Sequence, residues 1–341
     1  MNQIGKDIHR LSSQISPSGF ETNVVNMWMS LIKPYVNAVE ISSLGDGIAI
    51  MNGEDEQSLM IVAHADEIGF IITMIDSDKQ IAFFDEIGGI DTRLFLGRHV
   101  KIVSSTGDII DGIIGCQPIH CQPRFGNSEN GRVESKDLFI DFGNNISKVS
   151  LGDYGVIDQT CIESGDNISG RAMDDRSGLA VMIKVAQMLH GRTPKHTIYF
   201  VASSMEEIGA RGIRTVVNRY FPSKLIAVDV AIATDTLFHS QNNRSSIELG
   251  KGAVIAIGPN IDHGISNQLQ RMAKQEGIPY QLEVCARPTG TDANPAQIKL
   301  NGIPCGLIGI PCRYMHSPVE TINIKDVESV SKLIYNYTIN F

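Results

Sequence analysis

"SLMIVAHAD", residues 58–66, is an apolar run that stops at a histidine and an aspartate. It reads as a buried strand ending in polar residues, and the rest of the chain repeats the theme. "HTIYFVAS" (196–203), "LIAVDVAIA" (225–233), "GAVIAIG" (252–258), "YQLEVCA" (280–286) and "PCGLIGI" (304–310) are further short apolar runs. Between them lie helical patterns. Leu179, Met182, Ile183, Ala186 and Leu189 share one face over 177–190, residues 265–276 follow the same period, and Val327, Val330, Leu333, Ile334 and Tyr337 mark a last helix. Ile4, Ile8 and Leu11, then Val24, Trp28 and Leu31, make two N-terminal helices, with "SPSGFE" (16–21) as the turn between them. Strands alternating with helices predict an α/β sheet, in which ligands sit beyond the carboxyl ends of the strands.

The middle is different. From 71 to 163, "IITMIDSDKQIAFFDEIGG", "RHVKIVSSTGDIIDGIIG", "KDLFIDFG" and "LGDYGVID" are strand-like with turns and little helical periodicity. This segment is expected to be a small β domain inserted into an α/β domain formed by 1–70 and 164–341.

Composition sets limits on function. The 341 residues, 42% hydrophobic and 20% charged, are those of a globular protein. A net charge of −9 without a Lys/Arg-rich run argues against nucleic acid and anionic membranes as partners. No segment reaches the ~20 apolar residues of a membrane span, and the N-terminus lacks a signal-type apolar stretch. A cytoplasmic protein is expected, with its six cysteines as free thiols and sequons such as Asn243-Arg244-Ser245 silent. "CQPIHC" (116–121) has the letters of a Cys/His metal box but is read as a structural loop.

The acids are placed unusually. "GRAMDDRSG" (170–178) sets Asp174 beside Asp175, and "EEIGARG" (206–212) sets Glu206 beside Glu207. Like charges side by side raise each other's pKa unless a cation or a proton offsets them. Asp229 sits inside an apolar strand, where an unpaired carboxylate is costly. With His64 and His316, the acids Asp174, Glu207 and Asp229 fall at strand ends or in the loops after them. That donor mix suits zinc, and also cobalt or manganese. A carboxylate shared by two ions ~3.5–4 Å apart would leave a position open for water. Glu206, the spare member of its pair, is then placed as general base and acid. Asp66, two residues past His64, is placed to receive the other ring N–H of that histidine. Asp175 is expected to shape the local turn.

In order along the chain, "AHADEIG", "GRAMDDRSG", "EEIGARG", "AVDV", "TGTDA" and "RYMHS" resemble the motifs of the glutamyl aminopeptidase family of dinuclear metallopeptidases, which includes the tetrahedral aminopeptidases. The resemblance covers nearly the whole chain. It implies a mixed sheet flanked by helices, of zinc-peptidase type, with an inserted β-barrel-like domain that serves oligomerisation. It further implies that Asp174 bridges two divalent ions, His64 and Asp229 completing one and Glu207 and His316 the other, with Glu206 as catalytic base, Asp66 orienting His64 and a cis Asp174–Asp175 peptide. Short peptides would be the substrates, and dimer-based dodecamers the assembly. Ala65 and "PTGTDANP" (288–295) depart from the family pattern, so no specificity is carried over. A related dinuclear amidohydrolase, such as a deacylase or carboxypeptidase, and an inactive assembly protein of the same fold are the alternatives.

Overall fold

The computed structural model describes residues 2–115, 120, 137–237, 246–299 and 301–341. Helices α1 (Gln3–Ser12) and α2 (Thr22–Ile32) precede the hairpin β1 (Ala38–Ile41) and β2 (Gly47–Met51) and the long strand β3 (Asp55–His64). Six strands follow: β4 (Gly69–Asp76), β5 (Ile81–Ile87), β6 (Arg98–Val103), β7 (Ile109–Ile114), β8 (Ile140–Asp141) and β9 (Tyr154–Ile157). They close into a barrel in the order β4-β5-β8-β7-β6-β9. The chain then runs through β10 (Ile162–Ser164), β11 (Asn167–Gly170), α3 (Met173–Leu189), β12 (His196–Ser203), α4 (Arg211–Tyr220) and β13 (Lys224–Ile232). It finishes with β14 (Ala253–Ile257), α5 (His263–Gln275), β15 (Tyr280–Val284), α6 (Ala293–Gln297), β16 (Cys305–Arg313), β17 (Glu320–Asn323) and α7 (Ile324–Ile339).

The main sheet is mixed, with eleven strands. Its order is β1-β2-β12-β3-β13-β16-β17-β11-β10, and β14 joins β16 to the outer strand β15. At its centre β12, β3, β13 and β16 are parallel. Parallel strands are covered on both faces, which explains the unbroken apolar run in β3. Leu59, Ile61 and Ala63 enter the core under α1, α2, α3, α5 and α7, whereas Met60 and Val62 enter a second core under α4 and α6. Each buried aliphatic side chain of that run contributes about 1.5–3 kcal/mol. A charge at Ile61 would break the larger core.

The barrel has its own core. Phe70, Phe84 and Phe95 pack with ring centroids 5.0–6.0 Å apart, inside a shell of Val100, Ile102, Ile114 and Ile140.

Several elements lay beyond the sequence reading, among them the β1–β2 hairpin, α4, and the strands β10, β11 and β17 on the far flank. Of the cysteines, Cys161, Cys285, Cys305 and Cys312 are free. Cys116, Cys121 and the Asn243 sequon lie outside the described residues, as does most of "CQPIHC".

Candidate active site

The site forms where two parallel strands part. β3 and β13 are paired as far as Val62 and Ala227, and no pair follows. His64 and Asp229 each lie two residues beyond that last pair, on the same face of adjacent strands. Splaying opens a crevice between them while β12 keeps its pairing through Ser203 and His64. Glu206 and Glu207 lie in the loop leaving β12, and His316 lies in the loop leaving β16.

Asp174 and Asp175 enter from α3. Both have non-helical backbone angles and the peptide between them is cis, as the resemblance implies. Asp175 turns its Oδ1 to accept the Gly178 N–H at 2.9 Å, so it caps the helix that continues from there. A Cβ at position 178 would collide with that carboxylate, which is why glycine stands there. Asp175 Oδ2 is buried without a hydrogen-bond partner among the described residues.

The histidines face one centre. His316 Nδ1 lies 2.7 Å from the Gly89 carbonyl oxygen, which only accepts, so Nδ1 carries a proton and Nε2 is free to take a cation or a second proton. That Nε2 lies 3.5 Å from both Asp174 Oδ2 and Glu207 Oε2. His64 repeats the arrangement: its Nδ1 is 3.2 Å from the Asp66 main-chain oxygen, and its Nε2 is 2.8 Å from Asp174 Oδ1. A carboxylate oxygen and an imidazole lone pair at that distance hold together only with a proton or a cation between them. Donor atoms of His64, Asp174 and Glu207 lie within 4.8 Å of one another, as do those of His64, Asp175 and Asp229. Two imidazoles and several buried carboxylates are a donor set that fits divalent cations.

Electrostatics agree with that fit. Burial pushes Glu206 up to about 10, reinforced by Asp229, Asp292 and Asp66, and burial with the Asp174 charge pushes Glu207 up to about 7. Asp229 is also raised, by burial and then by Asp174. Burial acts to lower His64, yet hydrogen bonds to Asp174 and Asp66 raise it well above an ordinary imidazole. So many acids gathered around two imidazoles call for added positive charge.

Asp66 does more than attend His64. Its carboxylate lies 3.5 Å from His64 Nδ1, but it accepts the N–H of Glu206 through Oδ1 and that of Glu207 through Oδ2, both at 2.9 Å. The Ser18 hydroxyl donates to it at 2.6 Å. Glu21, from the same "SPSGFE" turn, accepts the Met205 N–H at 2.9 Å. Met205 and His316 have positive φ, 56° and 59°, conformations that cost about 1 kcal/mol or more each and must be held by their surroundings.

Sequence reasoning missed four of the supporting groups. Glu320, 2% exposed, accepts the Asp174 N–H through Oε2 at 3.0 Å and the His316 N–H through Oε1 at 2.8 Å. No spacing or apolar context announced it. Gly89 comes from the loop after the barrel strand β5, and nothing in a glycine advertises a carbonyl. Ser18 was legible only as a turn residue. Asp292, in the quoted "TGTDA", takes the Ser203 hydroxyl and is pushed up to about 7, chiefly by burial.

A sheet whose carboxyl edge gathers acids and imidazoles around one centre, beside a glutamate whose carboxylate has no hydrogen-bond partner among the described residues, has the frame of a metallopeptidase. The profile of the M42 glutamyl aminopeptidase family matches residues 45–333. A lysyl aminopeptidase of Pyrococcus furiosus is 33% identical over 328 residues, covering 93% of this chain and 91% of that protein. Among solved structures, an aminopeptidase of the archaeon Desulfurococcus kamchatkensis superposes with a TM-score of 0.91 at 31% identity, covering 99% of this chain and 95% of that one. The TET1 peptidase of Pyrococcus horikoshii has a TM-score of 0.86 at 27% identity, covering 99% and 100%. This chain belongs to the M42 glutamyl aminopeptidase family. It is an aminopeptidase, a hydrolase acting on peptides, from a family of metallopeptidases.

Proposed function

We propose that the chain is a cytoplasmic aminopeptidase that holds two divalent ions and removes N-terminal residues from short peptides. The observation that carries the reading is the convergence of both Nε2 atoms on the Asp174 carboxylate, one at each oxygen. Asp174 would lie between the ions, with His64 and Asp229 on one side and Glu207 and His316 on the other. Zinc suits these donors best, with cobalt or manganese next. Bound there, the ions would polarise the peptide carbonyl and bring a water's pKa toward neutrality.

The residues of the chain do the rest. Among the described residues Glu206 makes no hydrogen bond through its carboxylate, and it lines the same cleft as Asp174 and His316. It takes a proton from the attacking water and returns it to the leaving amine. Positive charge beside it lowers its raised pKa toward the working pH. Asp66 fixes the main chain of Glu206 and Glu207, and Glu320 that of Asp174 and His316. The barrel carries none of the five ligands, although Gly89 beside it orients His316.

The region 71–163 is assigned to assembly. Met74, Ile109 and Ile113 are exposed apolar residues on the barrel. The P. horikoshii peptidase is described as able to assemble into a tetrahedron or a large octahedral shell, and a dimer-based dodecamer is the assembly proposed here. Light scattering at micromolar concentration tests it, and a strictly monomeric species contradicts it. Cytoplasmic residence is consistent with the described residues, where no helix is long and apolar enough to cross a membrane.

The activity is tested by comparing a free peptide with its N-acetylated form. Cleavage of the free peptide alone is expected. Equal cleavage of both would favour the amidohydrolase alternative.

A further inference from the structure

Glu283 stands apart from the acids described so far. It lies on the outer strand β15 and lines the same open cleft, about 670 Å³, as Glu206, Asp229 and His316. It is partly buried, and no cation comes within ion-pair distance of its carboxylate and no hydrogen bond reaches it among the described residues. Burial alone acts on it, raising its carboxyl above the ordinary range. An anion removed from water without a partner is costly, and a cation arriving from solvent would relieve that cost.

Sheet register says which part of a substrate could reach it. Asp229 pairs with Gly309, Gly309 with Val254 and Val254 with Gln281, and Glu283 lies two residues further along, on the same face. Three strand spacings and the two-residue step along β15 place the Glu283 Cα ~16 Å from that of Asp229. The α-amine of a peptide must lie beside the carbonyl under attack, close to Asp229 and Glu206, and Glu283 is too far away to hold it. A long N-terminal side chain can span the gap. Ala231 and Leu307 line the cleft on the face that Asp229 and Glu283 share and suit the methylene stem of such a side chain.

We propose that Glu283 determines specificity in this cleft by pairing with the cationic end of an N-terminal lysine or arginine. The inference rests on the aminopeptidase reading and adds the substrate class to it. Arg214 also lines the cleft, but it projects from the exposed face of α4 with its Nε on the Ala210 carbonyl at 3.1 Å, where solvent screens its charge.

The test is kcat/KM for lysyl, arginyl, leucyl and glutamyl anilides, measured on the wild type, Glu283→Gln and Glu283→Lys. A charge-assisted hydrogen bond predicts that the lysyl-to-leucyl ratio falls ~10–100-fold in Glu283→Gln. In Glu283→Lys the preference should move toward the glutamyl substrate. A lysyl-to-leucyl ratio unchanged by Glu283→Gln overturns the proposal, and so does a uniform loss on all four substrates, which would assign the carboxylate to the α-amine. A wild type that leaves all four intact contradicts the aminopeptidase reading itself, and this inference with it.

Discussion

The carboxylate of Asp66 holds Glu206 by its main chain, accepting the Glu206 N–H at 2.9 Å while its other oxygen takes that of Glu207. One buried acid thus sets the position of both the proposed general base and the ligand proposed beside it. Asparagine offers a single acceptor oxygen, so Asp66→Asn must lose one of these bonds and set an amide donor against an N–H. Turnover at saturating metal is expected to fall ~10–100-fold, the range found when a supporting partner is lost. Unchanged turnover and metal content would contradict the role.

Glu320 makes the corresponding prediction for the opposite side. Its two oxygens hold the main chain of Asp174 and His316. Glu320→Gln keeps the size and loses one acceptor, so metal affinity, read by competition with a chelator, should weaken ~10–100-fold. Equal affinity in variant and wild type would remove Glu320 from the account.

Much of this was legible in the sequence, for reasons that can be named. β12 follows "HTIYFVAS" residue for residue because both faces of a central strand are buried. The flanks were harder. β10 has all three residues exposed, and β1 is four residues of mixed exposure, so neither carries an apolar signature. α4 carried its signal in Ile213, Val216 and Val217, buried at helical spacing, and the loop acids in front of it drew the reading away. In the site, residue pairs and acids in apolar strands marked the candidate donors. Their supports were silent because they act through main-chain N–H and C=O groups, which every residue has. Asp66 was singled out by its place two residues past His64, but the hydrogen bonds its carboxylate makes depend on where the Glu206 loop returns.

Removing metal should make stability depend on pH. Burial holds Glu206 up to about 10 and Glu207 and Asp292 up to about 7. An acid raised in the fold keeps its proton where the unfolded chain has released it, so its contribution fades as pH climbs from the ordinary carboxylate range to the raised value. His316, raised to about 9 by its hydrogen bond to Asp174, has the same sign: its contribution is complete below the ordinary imidazole pKa and lost as pH rises through about 9. The Tm of chelated protein should therefore fall between pH 5 and pH 9, and saturating divalent metal should raise it most at the alkaline end. A chelated Tm that rises across this interval would contradict the charge arrangement.

The central claim is that adjacent glutamates divide the work, Glu206 moving the proton and Glu207 holding metal. Metal stoichiometry and turnover, measured together on Glu206→Gln and Glu207→Gln, test it most directly. Glu206→Gln should retain the wild-type metal content while kcat falls by ~10²–10⁴. Glu207→Gln should lose an ion and recover part of its activity when metal is added. Full activity in Glu206→Gln, or metal loss from that variant alone, would contradict the assignment.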